Sequence, residues 1–359
     1  MIDFISSFYS KKHTEDSFLK GVDSLLDSLP NLQARLFPVY IAPSLLNGLK
    51  DGTDHFRLLS ENEAVFLFEF SFTLRQLGKQ EKIAGKLFAV RNKEYPDVYA
   101  IVTIEDSLFF SRGVLPYFTR HYPHAALTFI THRKLKNLLA NFRDKNNFTT
   151  FNIIRTTTYS RIGKRIVPSV HWPEFTLEKA FEWVADENGW FKNLTLKVMK
   201  PQGTETGFSI SRNGLIRTNK YVESVYRDFI LPISRIVYRN IEFFGKRARL
   251  DNPDRNIRPL CIDYGIEKFT EPEENQKFIN AMNTMKASSL SIIHANPYVH
   301  LSIFDYFDGS SFDVWVLSPD KIIIVPQLKA SFQSVKRLIN HIFDTYDEGH
   351  ISDYKVAYQ

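Results

Sequence analysis

Nine lysines and arginines stand against one acid, Asp144, within residues 131–165 of this 359-residue chain. The cations are Arg133, Lys134, Lys136, Arg143, Lys145, Arg155, Arg161, Lys164 and Arg165, so the stretch is net +8. Phosphate binding needs cations at roughly backbone spacing, and stacking on bases needs exposed rings. Arg155, Tyr159, Arg161, Lys164 and Arg165 supply both within a dozen residues. Arg133, Lys134 and Lys136 extend the patch if they share its face. The plain alternative is a solvated charged surface with Tyr159 half buried. What lifts the binding reading is contrast. Residues 1–130 hold 14 basic and 15 acidic side chains, net −1, and residues 166–359 hold 23 and 24, again net −1.

A milder basic cluster lies at 212–249, with nine basic and three acidic residues, net +6. Arg227, Arg235 and Arg239 fall close to one helical face there, and Lys246, Arg247 and Arg249 continue past the helix end. Cations at a helix C-terminus also simply complement its dipole. Residues 250–359 balance the cluster with ten basic and fifteen acidic residues, net −5. That acidic region is a candidate contact for a basic protein partner or for another copy of the chain.

Catalytic signatures are sparse. His121, His124 and His132 lack the tight spacing and the cysteines of a structural zinc site, so no metal ligand is assigned. Asp97, Glu105 and Asp106 flank an interior-looking strand, the kind of place where metal-dependent nucleases keep their acids, but a two-metal site asks for a further acid and a lysine nearby. Asp305, Asp308 and Asp313 read first as a hairpin tip, since Asp-Gly is a turn pair. Cys261 is the single cysteine and sits in an apolar strand. No Walker A, dinucleotide, nucleophile-elbow or zincin motif occurs. No catalytic residue and no cofactor is therefore assigned, and whether the chain is an enzyme stays open.

The elements that would hold these residues follow from periodicity. Phe18, Val22, Leu25, Leu26 and Leu29 predict a helix ended by Pro30. DVYAIVTIED, AALTFI and NFTTFNIIRTTTYS read as strands separated by SRGVLPYFTRHY and THRKLKNLLANF as helices. Right-handed crossovers would make these strands parallel. The expected fold is therefore an α/β N-terminal domain, residues 1–166, with a partly parallel β-α-β-α-β sheet ending in the basic segment. A boundary is expected at VPSVHWPE, residues 167–174. An α+β domain, residues 174–359, would follow, with a long helix near 220–244, a kink at Pro232, and a C-terminal three-strand antiparallel meander plus helix.

In the helix of the basic segment, Thr131 is the expected cap, and Leu135, Leu138, Leu139 and Phe142 form one apolar stripe. Arg133, Lys134, Lys136 and Arg143 must point away from it. Alternation puts Arg155, Thr157, Tyr159 and Arg161 on one face of the next strand.

One cysteine, no signal-peptide pattern and no long apolar run point to a cytoplasmic protein off the membrane. The leading expectation is a nucleic-acid-binding protein, DNA or RNA, that contacts the phosphate backbone through a basic-aromatic surface. It would be a component of a larger complex such as an antiviral defence system, an expectation that no particular residue carries. The alternatives are a metal-dependent nuclease or other phosphodiester hydrolase, and a non-catalytic protein-interaction subunit.

Overall fold

The computed structural model describes residues 2–52, 55–76, 79–121, 124–161, 165–166, 175–203, 205–249 and 256–354. The chain forms α1 (Ile2–Ser10), α2 (Glu15–Ser28), β1 (Ala34–Ile41), α3 (Pro43–Asp51), β2 (Phe56–Asn62), β3 (Val65–Gln76), β4 (Lys79–Arg91) and β5 (Val98–Thr103). A π-helical turn, Phe109–Val114, leads into α4 (Leu115–Arg120). Then come β6 (Ala125–Leu127), α5 (His132–Asn146), β7 (Thr150–Ser160), β8 (Arg165–Ile166), β9 (Phe175–Thr176), α6 (Leu177–Asp186), β10 (Gly189–Met199), β11 (Thr206–Ser211) and β12 (Ile216–Thr218). Helix α7 (Val222–Val225) passes through a second π turn, Tyr226–Ile230, into α8 (Leu231–Gly245). The rest is β13 (Leu260–Asp263), α9 (Pro272–Asn283), β14 (Ser288–His294), β15 (Val299–Asp305), β16 (Ser310–Ser318), β17 (Lys321–Pro326), α10 (Phe332–Thr345) and β18 (His350–Asp353).

These elements divide between two compact units. Unit 1 takes Met1–Thr158, Val167–Asp186 and Phe191–Arg239, and unit 2 takes Tyr159–Ile166, Glu187–Trp190 and Asn240–Gln359. Residues 167–174, where the sequence suggests a boundary, lie outside the described residues, as do Lys164 and the side chain of Arg165.

The expected parallel β-α-β-α-β sheet is not present. Unit 1 is built on an antiparallel sheet in the order β2-β3-β4-β5-β1-β12-β11-β10-β7. Strand β1, early in the chain, inserts where the crossover reading assumes neighbours. Both β5 and β6 run antiparallel to β1, with Leu36 opposite Val102 and Tyr40 opposite Ala126. Strand β7 lies at the far side of the sheet, beyond β10. Alternation and apolarity in DVYAIVTIED and AALTFI identify strands. They carry no information on which strand will sit between them, and that choice decides parallel or antiparallel pairing.

One face of this sheet packs Leu36, Phe88, Val102, Leu196 and Phe208 against α2, α5, α6 and the π turn before α8. The other face, over β3, β4, β5 and β1, packs Phe37, Phe68, Phe70 and Ile101 against α3 and the first π turn. Each π turn stands just before a Leu-Pro pair, Leu115-Pro116 and Leu231-Pro232. Proline lacks an amide hydrogen and its ring crowds the carbonyl four residues earlier, so the preceding turn widens instead of breaking. This is the form the disruption at Pro232 takes.

Unit 2 has its own antiparallel sheet, ordered β14-β15-β16-β17-β13-β18. Val299, Leu301, Phe312, Val314, Ile322 and Ile324 are buried in it, as are Val335, Leu338 and Ile342 of α10.

Candidate nucleic-acid interface

Helix α5 folds as its spacing dictates. The Thr131 side chain accepts a hydrogen bond from the Lys134 amide, and Leu135, Leu138, Leu139 and Phe142 are buried. Arg133, Lys134 and Lys136 are exposed on the other side. The Lys136 ammonium lies 5.8 Å from the Phe181 ring centroid. Arg143 is engaged by Glu178 at 2.7 Å and by Asp144 at 3.0 Å, and Lys145 lies 3.7 Å from Asp228.

The exit of β7 is different. Arg155 is exposed. Tyr159, in unit 2, stacks on Trp190 with centroids 5.5 Å apart. Arg161 is only 13% exposed, forms an ion pair with Asp347 at 2.9 Å, and donates to the Phe343 carbonyl. Trp190 in turn donates to the Asp344 carbonyl at 3.2 Å. Tyr159 and Arg161 thus tie the chain segment around residue 160 to the C-terminal end of α10. Of the eight cations and rings singled out in the sequence, the structure groups Arg133, Lys134 and Lys136 on one helix, leaves Arg155 exposed, and engages Tyr159 and Arg161 in packing, while Lys164 and the side chain of Arg165 lie outside the described residues.

A second basic-aromatic constellation forms from residues far apart in the chain. Tyr95 and Tyr238 stack with centroids 4.7 Å apart and planes at 27°. Tyr238 is 38% exposed and Tyr95 is partly so. Asn92, itself buried, places Tyr95: its side-chain oxygen accepts the Glu94 and Tyr95 amides, both at 2.9 Å, in an Asx turn. On α8, Ile233 and Val237 face the core. Arg235, Tyr238 and Arg239, at i, i+3 and i+4, therefore form the exposed stripe.

Arg235 and Arg239 are close enough to Tyr95 for their charges to act on its hydroxyl. That hydroxyl donates to Glu94 at 2.6 Å. The acceptor raises its pKa, and the two guanidiniums oppose the rise. Neither Arg235 nor Arg239 makes an ion pair among the described residues. Arg227, the third arginine of the cluster, stands 3.9 Å from Glu223. Arg91 borders the same loop and donates to the Pro96 carbonyl at 3.1 Å. The weak periodicity of the arginines is the only sequence signal for this surface, and Tyr95 has none.

The other constellations resolve into local roles. Asp97 precedes β5 and Glu105 and Asp106 follow it, so the strand holds them about 25 Å apart. The Glu105 carboxylate accepts the Tyr9 hydroxyl at 3.2 Å and the Lys86 amide at 3.0 Å. Asp106 accepts the Phe109 amide at 2.7 Å. His132 packs on Phe181 and Phe191, and His121 stacks on Tyr117. Tyr122 and Pro123, between His121 and His124, lie outside the described residues. Among the described residues no three His, Cys, Asp or Glu side chains gather into a group that could hold a metal ion.

Asp305, fully buried, binds Arg337 at 2.8 Å and Ser334 at 2.9 Å. Asp308 accepts from Ser334, Ser331 and the Ser310 amide, fastening the β15–β16 turn to the start of α10. Asp313 accepts from Gln327 at 2.7 Å. Cys261 is buried, and burial raises its pKa.

Acids of the 250–359 region also pair internally, Asp347 with Lys268 and Asp263 and Asp320 with Lys321. Among the described residues no helix is long and apolar enough to cross a membrane. No protein-family model matches the chain, and a search of curated proteins finds no match to it.

Proposed function

We propose that this protein binds single-stranded nucleic acid, mainly through backbone phosphates, with the Tyr95–Tyr238 pair as a stacking platform. The observation that carries the reading is that pair, on the surface beside two arginines with no ion-pair partner among the described residues. An exposed ring offers its face to an unstacked base, and sequence matters little because every base has such a face. Guanidiniums flanking the ring supply the forked donors that phosphate oxygens accept. The exposed Arg133, Lys134, Lys136 and Arg155 of unit 1 add to the field that draws a polyanion in. A single cysteine suits a reducing compartment, and on that basis we assign the protein to the cytoplasm.

The test is fluorescence polarisation with labelled oligo-dT and oligo-U across a salt series. Affinity falls steeply with salt, and the double variant Arg235→Ala/Arg239→Ala flattens the slope by about one for each phosphate that the arginines no longer neutralise. The reading fails if the intact chain shows no binding at low salt, or if Tyr238→Ala and the double arginine variant bind as the parent does.

A further inference from the structure

Strands β10, β11, β12 and β1 of the unit 1 sheet carry a row of polar residues on the face opposite the one packed against α2, α5 and α6. Register places Thr195 of β10 opposite Ser209 of β11, Ser209 opposite Arg217 of β12, and Arg217 opposite Arg35 of β1. Directly opposed residues project from the same face. Their chain neighbours Leu194, Leu196, Phe208, Ile210, Ile216 and Leu36 project the other way, into the core. One step along from Ser209, a Cβ built on Gly207 would meet nothing within 4 Å, so the space over the sheet is open there.

Two arginines therefore face each other directly across neighbouring strands, an arrangement that like charges make unfavourable. Arg35 is 9% exposed. Burial, and then Arg217, lower its pKa, with Asp106 opposing. It donates to the Glu105 carbonyl, while the Asp106 carboxylate caps the turn at Phe109. Arg217 is exposed and, with Ser209 and Thr195, makes no side-chain hydrogen bond or ion pair among the described residues. The row thus presents the exposed Arg217 guanidinium and two hydroxyls beside the buried Arg35 guanidinium, and among the described residues neither arginine forms an ion pair. It crosses four strands, a span of about 14 Å.

We propose that this row is an anion site for a di- or triphosphate group, held by Arg35 and Arg217 with the Ser209 and Thr195 hydroxyls extending along it. Phosphate oxygens accept from paired guanidinium forks, and an anion between the arginines turns a repulsion into two attractions. A chain of two or three phosphates fits the row's length better than a single ion does. The site is separate from the Tyr95–Tyr238 surface and does not rest on the nucleic-acid reading.

The experiment is isothermal titration calorimetry of the full chain with inorganic pyrophosphate and with tripolyphosphate, at ionic strength matched with sodium chloride. Binding is expected, with Arg217→Ala weakening it by roughly tenfold or more. Arg217→Glu places an acid opposite Arg35; it should raise the melting temperature without ligand and abolish the pyrophosphate response. The Arg235→Ala/Arg239→Ala variant should bind pyrophosphate as the parent does, which separates failure here from failure of the nucleic-acid surface. A nucleoside triphosphate arm identifies the source: tighter binding than tripolyphosphate assigns the site to a nucleotide, equal binding to a free polyphosphate. The proposal is overturned if pyrophosphate gives no more heat or thermal shift than chloride, or if Arg217→Ala leaves its affinity unchanged.

Discussion

The β7 exit and the exposed stripe of α8 are both basic and aromatic, and the fold uses them in opposite ways. Around residue 160, Tyr159 lies on Trp190 and Arg161 is engaged by Asp347 and a helix-end carbonyl. Along α8, Tyr238 stacks on Tyr95 at the surface, and Arg235 and Arg239 find no carboxylate partner among the described residues. Charge density along the chain is higher in the first region. Availability is higher in the second. What separates them is the set of acceptors that tertiary structure brings near, and that set comes from distant parts of the sequence.

The sharpest way to break this contrast is to remove Arg161. If it is a structural cation, Arg161→Ala leaves Asp347 half buried with Lys268 alone and frees the Phe343 carbonyl. The loss expected in chemical denaturation is about 2–3 kcal/mol, as for a partly buried charged hydrogen-bonded pair. Affinity for single-stranded nucleic acid, measured on the folded fraction, should not change. A large loss of affinity at undiminished stability would reverse the assignment of the two regions.

Tyr238→Ala is the reciprocal change. It should leave stability close to the parent's, since the ring is largely a surface feature. It should weaken oligo-dT binding by about 1–3 kcal/mol, the usual worth of one stacked base. Equal effects of Arg161→Ala and Tyr238→Ala on binding would erase the distinction.

Where the sequence was legible, it was legible locally. The cap at Thr131 and the stripe Leu135–Leu138–Leu139–Phe142 depend on residues within a few turns of one helix. The antiparallel order of the unit 1 sheet was not legible, because nothing in the periodicity of β5 or β6 announces that β1 will pair with both. The same limit applied to the sites. Alternation put Arg155, Tyr159 and Arg161 on one strand face, yet Trp190 and Asp347, which engage two of them, arrive from elsewhere in the chain. Arg235 and Arg239 had a helical spacing to recommend them. Their aromatic partner Tyr95 depended on an Asx turn more than a hundred residues earlier.

A gentler comparison sets the α5 cations against those of α8. Arg133→Ala/Lys136→Ala removes two exposed charges with no ring stack between them. It should reduce affinity by roughly the general electrostatic share of two phosphate contacts and shift the salt slope by up to about two. The base-stacking component should remain, seen as an unchanged loss when Tyr238→Ala is added. Non-additivity between the two sets would mean that the nucleic acid crosses both in one path.

The smallest expected effect is on pH, and it separates the two units by their titrating groups. In unit 2, His341 of α10 contacts the Ala281 carbonyl through Nε2 at 2.9 Å. Burial lowers its pKa, the carbonyl opposes that shift, and Arg337 adds to the lowering. A histidine whose folded pKa lies below its unfolded value contributes stability above the unfolded pKa and loses it as pH falls through the folded one. Unit 2 should therefore weaken as pH drops from about 7.5 towards 5.5, a window set by the ordinary histidine pKa near 6.5. Guanidinium and phenol groups as classes titrate far above that window and phosphodiesters far below it. Denaturant midpoints should thus fall with acid while oligo-dT affinity stays level. His341→Gln keeps a donor for the Ala281 carbonyl but removes the titration, so it should flatten the stability profile without altering binding. A stability slope that survives in His341→Gln would move the titrating group elsewhere. A parallel slope in affinity would mean that the binding surface is not built from arginine and tyrosine alone.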